Sequence, residues 1–170
     1  FLNTPTLSNT NKGLIHESFV SNSNWSYDWR EFVVLDNSNF QTAVNLWFDD
    51  QAEANATYGH ISDWNTSAVT DMRNAFKDRT SFNEDIGDWD VSNVTTFFHL
   101  FTNAISFNQD ISDWNTSSLV NMSRCFDGAS SFNSDLSKWD ISNVNMMTAA
   151  FRNATSFNQN INSWDVSNVL

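Results

Sequence analysis

The chain is poor in cysteine, proline, glycine and positive charge. Its 170 residues include one Cys, one Pro, four Gly, and eight Lys plus Arg against twenty Asp plus Glu. With Cys125 alone, no disulfide can close within the chain, and no Cys/His spacing of a zinc site exists. So few glycines cannot build the Gly-Gly-x-Gly-x-Asp turns of calcium-binding solenoids. The formal charge of −12 repels nucleic acid and anionic lipid, and it favours cations or basic protein surfaces. Solubility alone is the simpler reading of that charge. No run of 18 apolar residues occurs, so no transmembrane segment is expected in this chain. His16, His60 and His99 are scattered. No His-Glu-x-x-His, Gly-x-Ser-x-Gly, P-loop or Gly-x-Gly-x-x-Gly motif appears. Catalytic residues, metal ligands and cofactors are therefore all expected to be absent.

Aromatic residues are abundant, with fifteen Phe and eight Trp. Trp64, Trp89, Trp114, Trp139 and Trp164 recur at a constant spacing of 25 residues, within ISDWNTSAV, IGDWDVSNV, ISDWNTSSL, LSKWDISNV and INSWDVSNV. A fixed period of this length predicts a solenoid, because one such unit cannot bury its apolar face alone. Repeats are numbered here from the Ile or Leu three residues before each Trp: Ile61, Ile86, Ile111, Leu136 and Ile161. Apolar residues at offsets 0, +3 and +5 predict a short strand with the Trp facing inward. Those at +8, +11 and +15 have helical spacing. The unchanging Ser67, Ser92, Ser117, Ser142 and Ser167 stand between, either as N-caps of the helix or on the exposed strand face. The sequence thus predicts an α/β solenoid of about 25-residue turns, each a short parallel strand plus a short helix. Its expected core is Trp64, Trp89, Trp114, Trp139 and Trp164 with Phe76, Phe101, Phe126 and Phe151. Asn83, Asn108, Asn133 and Asn158 follow the loop Phe and are expected to bond from turn to turn. Cys125 occupies the position of Ala75, Leu100 and Ala150, which predicts a small buried group.

Three regions are expected: a non-repeating segment 1–36, a helical N-terminal cap 37–60, and repeats over 61–170, four full and a partial fifth. Within the cap, Phe40, Ala43, Val44, Trp47 and Phe48 fall on one helical face. Asn37 or Ser38 could cap its start and Gly59 could end it. The chain starts at Phe1 and stops in mid-repeat, which reads as a processed or truncated piece.

The pattern F-N-x-D-I-x-x-W-D-V-S-N-V-x-x-M/F-x-x-x-F-x-x-A-x-S resembles the BspA-like, 26-residue-repeat surface proteins. Their repeat is filed as a domain of unknown function in mycoplasma lipoproteins and in algal and protist proteins. The stretch Thr42 to Val69 resembles the segment leading into such repeats, and the likeness covers residues 37–170. It implies a leucine-rich-repeat-like fold, surface exposure, and adhesion or recognition. It carries over no catalytic residue. The offsets 0, +3 and +5 also mirror the L-x-x-L-x-L core of leucine-rich repeats, with Trp for the second Leu.

Two exposed columns are the candidate partner-binding surface. Offset +2 gives Asp63, Asp88 and Asp113, followed by Lys138 and Ser163; offset +4 gives Asn65, Asp90, Asn115, Asp140 and Asp165. Carboxylates stacked at about 5 Å repel by about 0.8 kcal/mol in bulk water, which alternating Asn relieves. A third column, Asp85, Asp110, Asp135 and Asn160, reads as turn-forming side chains bonding their own backbone. Trp25 and Trp29 form a further possible docking patch. The expected function is a non-catalytic protein-interaction or adhesion module with an acidic face and a protein or glycan partner. The alternative is a structural or accessory subunit of a large complex. Seven N-x-S/T sequons begin at Asn24, Asn55, Asn65, Asn93, Asn115, Asn121 and Asn153. They suggest an extracellular or cell-surface setting, with an organelle lumen as the alternative. With 25 Asn and 37 Ser plus Thr, though, composition alone yields about five.

Overall fold

The computed structural model describes residues 33–170. A short strand, β1 (Val34–Asp36), leads into two helices, α1 (Phe40–Asp49) and α2 (Gln51–Tyr58). A single 3-10 turn (Ile61–Asp63) precedes strand β2 (Asn65–Ala68), which pairs in parallel with β1. The helical region breaks at Asp50, whose carboxylate accepts the Glu53 N–H and starts α2 afresh. Gly59, at φ +82°, ends α2 in a backbone conformation that glycine adopts without strain. The cap of α1 differs from expectation. Its first flanking residue is Asn39, whose amide oxygen accepts the Asp36 N–H instead of a helical one.

Phe40, Ala43, Val44 and Trp47 are buried on the inner face of α1, and Phe48 is half-buried. They meet the first repeats edge-on. Phe40 lies 5.7 Å from Trp89, Trp47 6.1 Å from Trp64, and Phe48 5.7 Å from Phe82, between ring centroids. Edge-to-face packing of this kind adds about 0.5–1.5 kcal/mol per pair to the burial itself.

Beyond β2, residues 25 apart meet repeatedly. Phe76, Phe101, Phe126 and Phe151 stack in one file at 5.4–5.6 Å. Phe82, Phe107, Phe132 and Phe157 form a second, at 5.7–5.9 Å. The two files touch at 4.0 Å within each of the first three repeats. Trp64, Trp89, Trp114 and Trp139 are buried, and Trp164 is partly buried. Each later indole donates its Nε1–H to a carbonyl 28 residues back: Trp89 to Ile61, Trp114 to Ile86, Trp139 to Ile111 and Trp164 to Leu136. A buried indole N–H without an acceptor costs about 1–3 kcal/mol, so these bonds fix both ring orientation and repeat register.

The backbone within each repeat departs from strand-plus-helix. Only the first repeat contains a strand at offsets +4 to +7; the later ones make turns there. Parallel bridging falls instead at offset +10, running Asp71 to Thr96 to Asn121 to Met146. The segment with helical spacing is a run of turns, not a helix. In the second repeat, Leu100, Thr102 and Ala104 donate to carbonyls three residues back, at Phe97, His99 and Phe101. The alternate residues Phe97, His99, Phe101 and Asn103 donate outward, to Asn121, Ser123, Cys125 and Asp127 of the next repeat.

The cause is local. Residues at offsets +13 and +17 have φ of +55° to +76°: Asn74, His99, Arg124 and Ala149, then Asp78, Asn103, Gly128 and Asn153. A left-handed residue every fourth position interrupts helical hydrogen bonding and turns alternate N–H groups toward the neighbour. At Gly128 a Cβ would run into the Asn103 amide oxygen, so glycine answers both the φ and the contact.

Candidate functional site

The exposed columns are built from Asx turns. At offset +4, Asn65, Asp90, Asn115, Asp140 and Asp165 each accept the N–H of the serine two residues on: Ser67, Ser92, Ser117, Ser142 and Ser167. The Ser67, Ser117 and Ser142 hydroxyls donate to the same oxygens at 2.7–2.8 Å. The serine column therefore closes a turn behind it and caps no helix. The column ending the return loop does the same. Asp85, Asp110, Asp135 and Asn160 accept from Gly87, Ser112, Ser137 and Asn162. Asx turns suit Asp and Asn equally, because only the acceptor oxygen is used.

Electrostatics follow from these bonds. The Ser92, Ser142 and Ser167 hydroxyls and N–H groups hold the Asp90, Asp140 and Asp165 carboxyls below their ordinary value. For Asp110 and Asp135 the backbone N–H of Ser112 and Ser137 is the larger cause. Asp165 opposes the effect at Asp140, where two carboxylates succeed one another in the +4 column without an intervening Asn.

All eight acidic and amide candidates, Asp63, Asn65, Asp88, Asp90, Asp113, Asn115, Asp140 and Asp165, are exposed. They do not all converge. Asp88 and Asp113 of the +2 column share an open groove of about 200 Å³ with Asp85 and Asp110, lined also by Gly87 and Ser112. The +4 residues stand outside it. Sequence reasoning kept Asp85 and Asp110 apart from the partner surface. Their place three residues before Asp88 and Asp113, across one tight turn, is the signal that joins them. The Lys138 ammonium binds Asp113 at 2.6 Å and is itself raised in pKa, first by that hydrogen bond. Asp85, Asp88 and Asp110 have no ion-pair partner among the described residues. Nor do any three His, Cys, Asp or Glu side chains there converge in a metal-holding group. Trp25 and Trp29 lie outside the described residues.

Charge is segregated along each repeat. Of the six Lys and Arg between residues 33 and 170, only Lys138 lies in the acidic columns. Arg73, Lys77, Arg79, Arg124 and Arg152 all lie at offsets +12 to +18, on the turn runs. Asp127, buried there, is held by both Arg152 and Arg124.

The profile of a family described as "Mycoplasma protein of unknown function, DUF285" matches residues 31–133 and again 86–170. The chain belongs to this family. The two overlapping matches cover β1, both helices and all five repeats, so membership rests on the part of the molecule that holds the aromatic files. No curated protein and no solved structure matches the chain. No helix among the described residues is long and apolar enough to cross a membrane.

Proposed function

We propose that this DUF285 chain is a non-catalytic binding module. In this reading it is a leucine-rich-repeat-like solenoid, akin to the BspA-like surface proteins, that presents an acidic edge to a basic protein partner outside the cell. The supporting observation is the groove of Asp85, Asp88, Asp110 and Asp113. Its side chains flank the Asx turns that begin at Asp85 and Asp110, and three of the four have no ion-pair partner among the described residues. A surface of fixed, uncompensated charge steers and orients an oppositely charged partner more than it adds raw affinity. The Asx bonds lower the pKa of Asp110, which keeps that carboxylate charged in mild acid.

The test is affinity capture by the whole chain and by the D85N/D88N/D110N triple variant, with mass spectrometry of what is retained. Asn retains the turn acceptor at positions 85 and 110, so the fold is expected to survive. A basic protein held at low salt, released near 0.5 M salt and lost with the variant supports the reading. Equal retention by both chains would refute it.

A further inference from the structure

We infer that the seam between α1 and the first turn run is a second binding site, for a small carboxylated saccharide. Two contiguous grooves, of about 460 and 450 Å³, share Gln41, Asn45 and Asn74 as walls. Ligand pockets of this size take a ring or two of a sugar. Their chemistry is lopsided. The charged acceptors are already in use, as is one amide oxygen: Asp71 takes the Arg73 backbone N–H and Nε, Asp78 takes the Asn103 amide, and Asn45 Oδ1 takes Gln41 and Arg79. The donors are not. The Arg73 terminal nitrogens, Lys77 Nζ and Asn45 Nδ2 have no hydrogen bond or ion pair among the described residues. Unspent cationic donors beside engaged carboxylates select a ligand rich in oxygen and negative in charge.

The repeat pattern points to the same place. Offsets +12, +16 and +18 hold Arg73, Lys77 and Arg79 in the first repeat. In the second they hold Phe98, Thr102 and Ala104, and in the third Ser123, Asp127 and Ala129. The fourth repeat holds Thr148, Arg152 and Ala154 there, and Arg152 pairs with Asp127 of the third repeat, whereas Lys77 has no ion pair among the described residues. Arg79 is accounted for by the helix it covers, with its guanidinium 4.3 Å from the Phe48 ring centre. Arg73 and Lys77 are exposed; Arg73 reaches its neighbour Asp71 through Nε alone, and Lys77 has no ion pair among the described residues. A saccharide fits better than an acidic peptide. Among the described residues the apolar wall residues are Phe40 and Ala75, both buried themselves, so a peptide's apolar side chains find no pocket. Amides and guanidinium suit ring hydroxyls and a carboxylate.

The experiment titrates the full chain with digalacturonate, following amide shifts by NMR and heat by calorimetry. Saturable shifts at the Asn45 side-chain amide and at Asn74, weakened by salt, are the expected result. A neutral disaccharide is expected to bind about ten-fold more weakly, and R73A/K77A to lose affinity by a similar factor, about one ion pair's worth. D88N/D113N, altered in the acidic groove, is expected to bind unchanged, which separates this site from the one proposed above. Near-UV circular dichroism checks that R73A/K77A keeps its aromatic packing. Absence of saturable shifts at the seam, or equal binding by R73A/K77A, would overturn the site. Tighter saturation by an Asp/Glu-rich peptide than by digalacturonate would overturn the ligand class.

Discussion

Helix α1 and the turn run of the second repeat, Phe97 to Ala104, have the same kind of apolar spacing and opposite ways of closing their backbones. In α1 the hydrogen bonds stay within the helix, and the sole demand on the surroundings is cover for Phe40, Ala43, Val44 and Trp47. In the turn run every second N–H leaves for the next repeat. A helix is complete before it packs. A turn run of this kind is complete only when its neighbour is present. Stability in the repeats is therefore shared at the junctions, whereas that of α1 is local with a packed face.

The strongest way to break the comparison is Trp114→Ala. It empties a buried site and removes the Nε1–H bond to Ile86, and the expected loss is about 3–5 kcal/mol by chemical denaturation. A loss under about 1 kcal/mol would mean that the junctions do not carry the stability.

Two glycine substitutions sharpen it next, because they should have opposite signs. Ala43→Gly in α1 is expected to cost about 1 kcal/mol or more, from helix propensity and lost packing. Ala149→Gly, at φ +55° in a turn run, is expected to stabilise by about 0.5–1 kcal/mol by relieving left-handed strain. Thermal denaturation of both variants decides whether the sign changes.

Asn108→Ala and Asn158→Ala compare a junction inside the stack with the last one described. The Asn108 side chain accepts the Asn133 N–H at 2.8 Å, while the Asn158 side chain accepts no bond among the described residues. Expected losses are about 1 kcal/mol and under about 0.5 kcal/mol respectively.

The smallest effect concerns acid. Asp90 is held below its ordinary value of 3.8 in the folded chain, first by the Ser92 hydroxyl and then by its N–H. Its contribution is complete above 3.8 and fades as pH falls below 3.8 toward the lower folded value. Asp90→Asn keeps the turn and removes that titration. Denaturation at pH 7 and pH 3 is expected to show a smaller acid loss for the variant than for the parent chain.

Much of the packing was legible in the sequence because it follows residue type. The 25-residue Trp spacing corresponds to the buried indoles, and the loop Phe and the Phe at +15 to the two stacked files. The α1 face was visible in its 3.6-residue spacing. Backbone path was not legible where side chains carry no mark of it. Asn74, Asp78, Asn103 and Gly128 are residues that tolerate positive φ, but Arg124 and Ala149 are not, and they hide the left-handed column among ordinary helix formers. Likewise Asp-x-Ser at +4 to +6 fits either a strand edge or an Asx turn. The hydroxyl of Ser117, 2.8 Å from Asn115 Oδ1, shows which of the two forms here. For the acidic groove, the columns were readable one at a time. Their convergence required the turn between Asp110 and Asp113 to be known.

The lone thiol has a use that follows from its place at a junction. Cys125 is sealed from solvent, its carbonyl accepts the Phe101 N–H, and burial pushes its pKa well above the ordinary thiol value. A labelling reagent can reach it only when the third repeat parts from its surroundings. The rate at which added reagent consumes this sulfur is thus a clock for breathing in the middle of the stack, built into the unmodified chain.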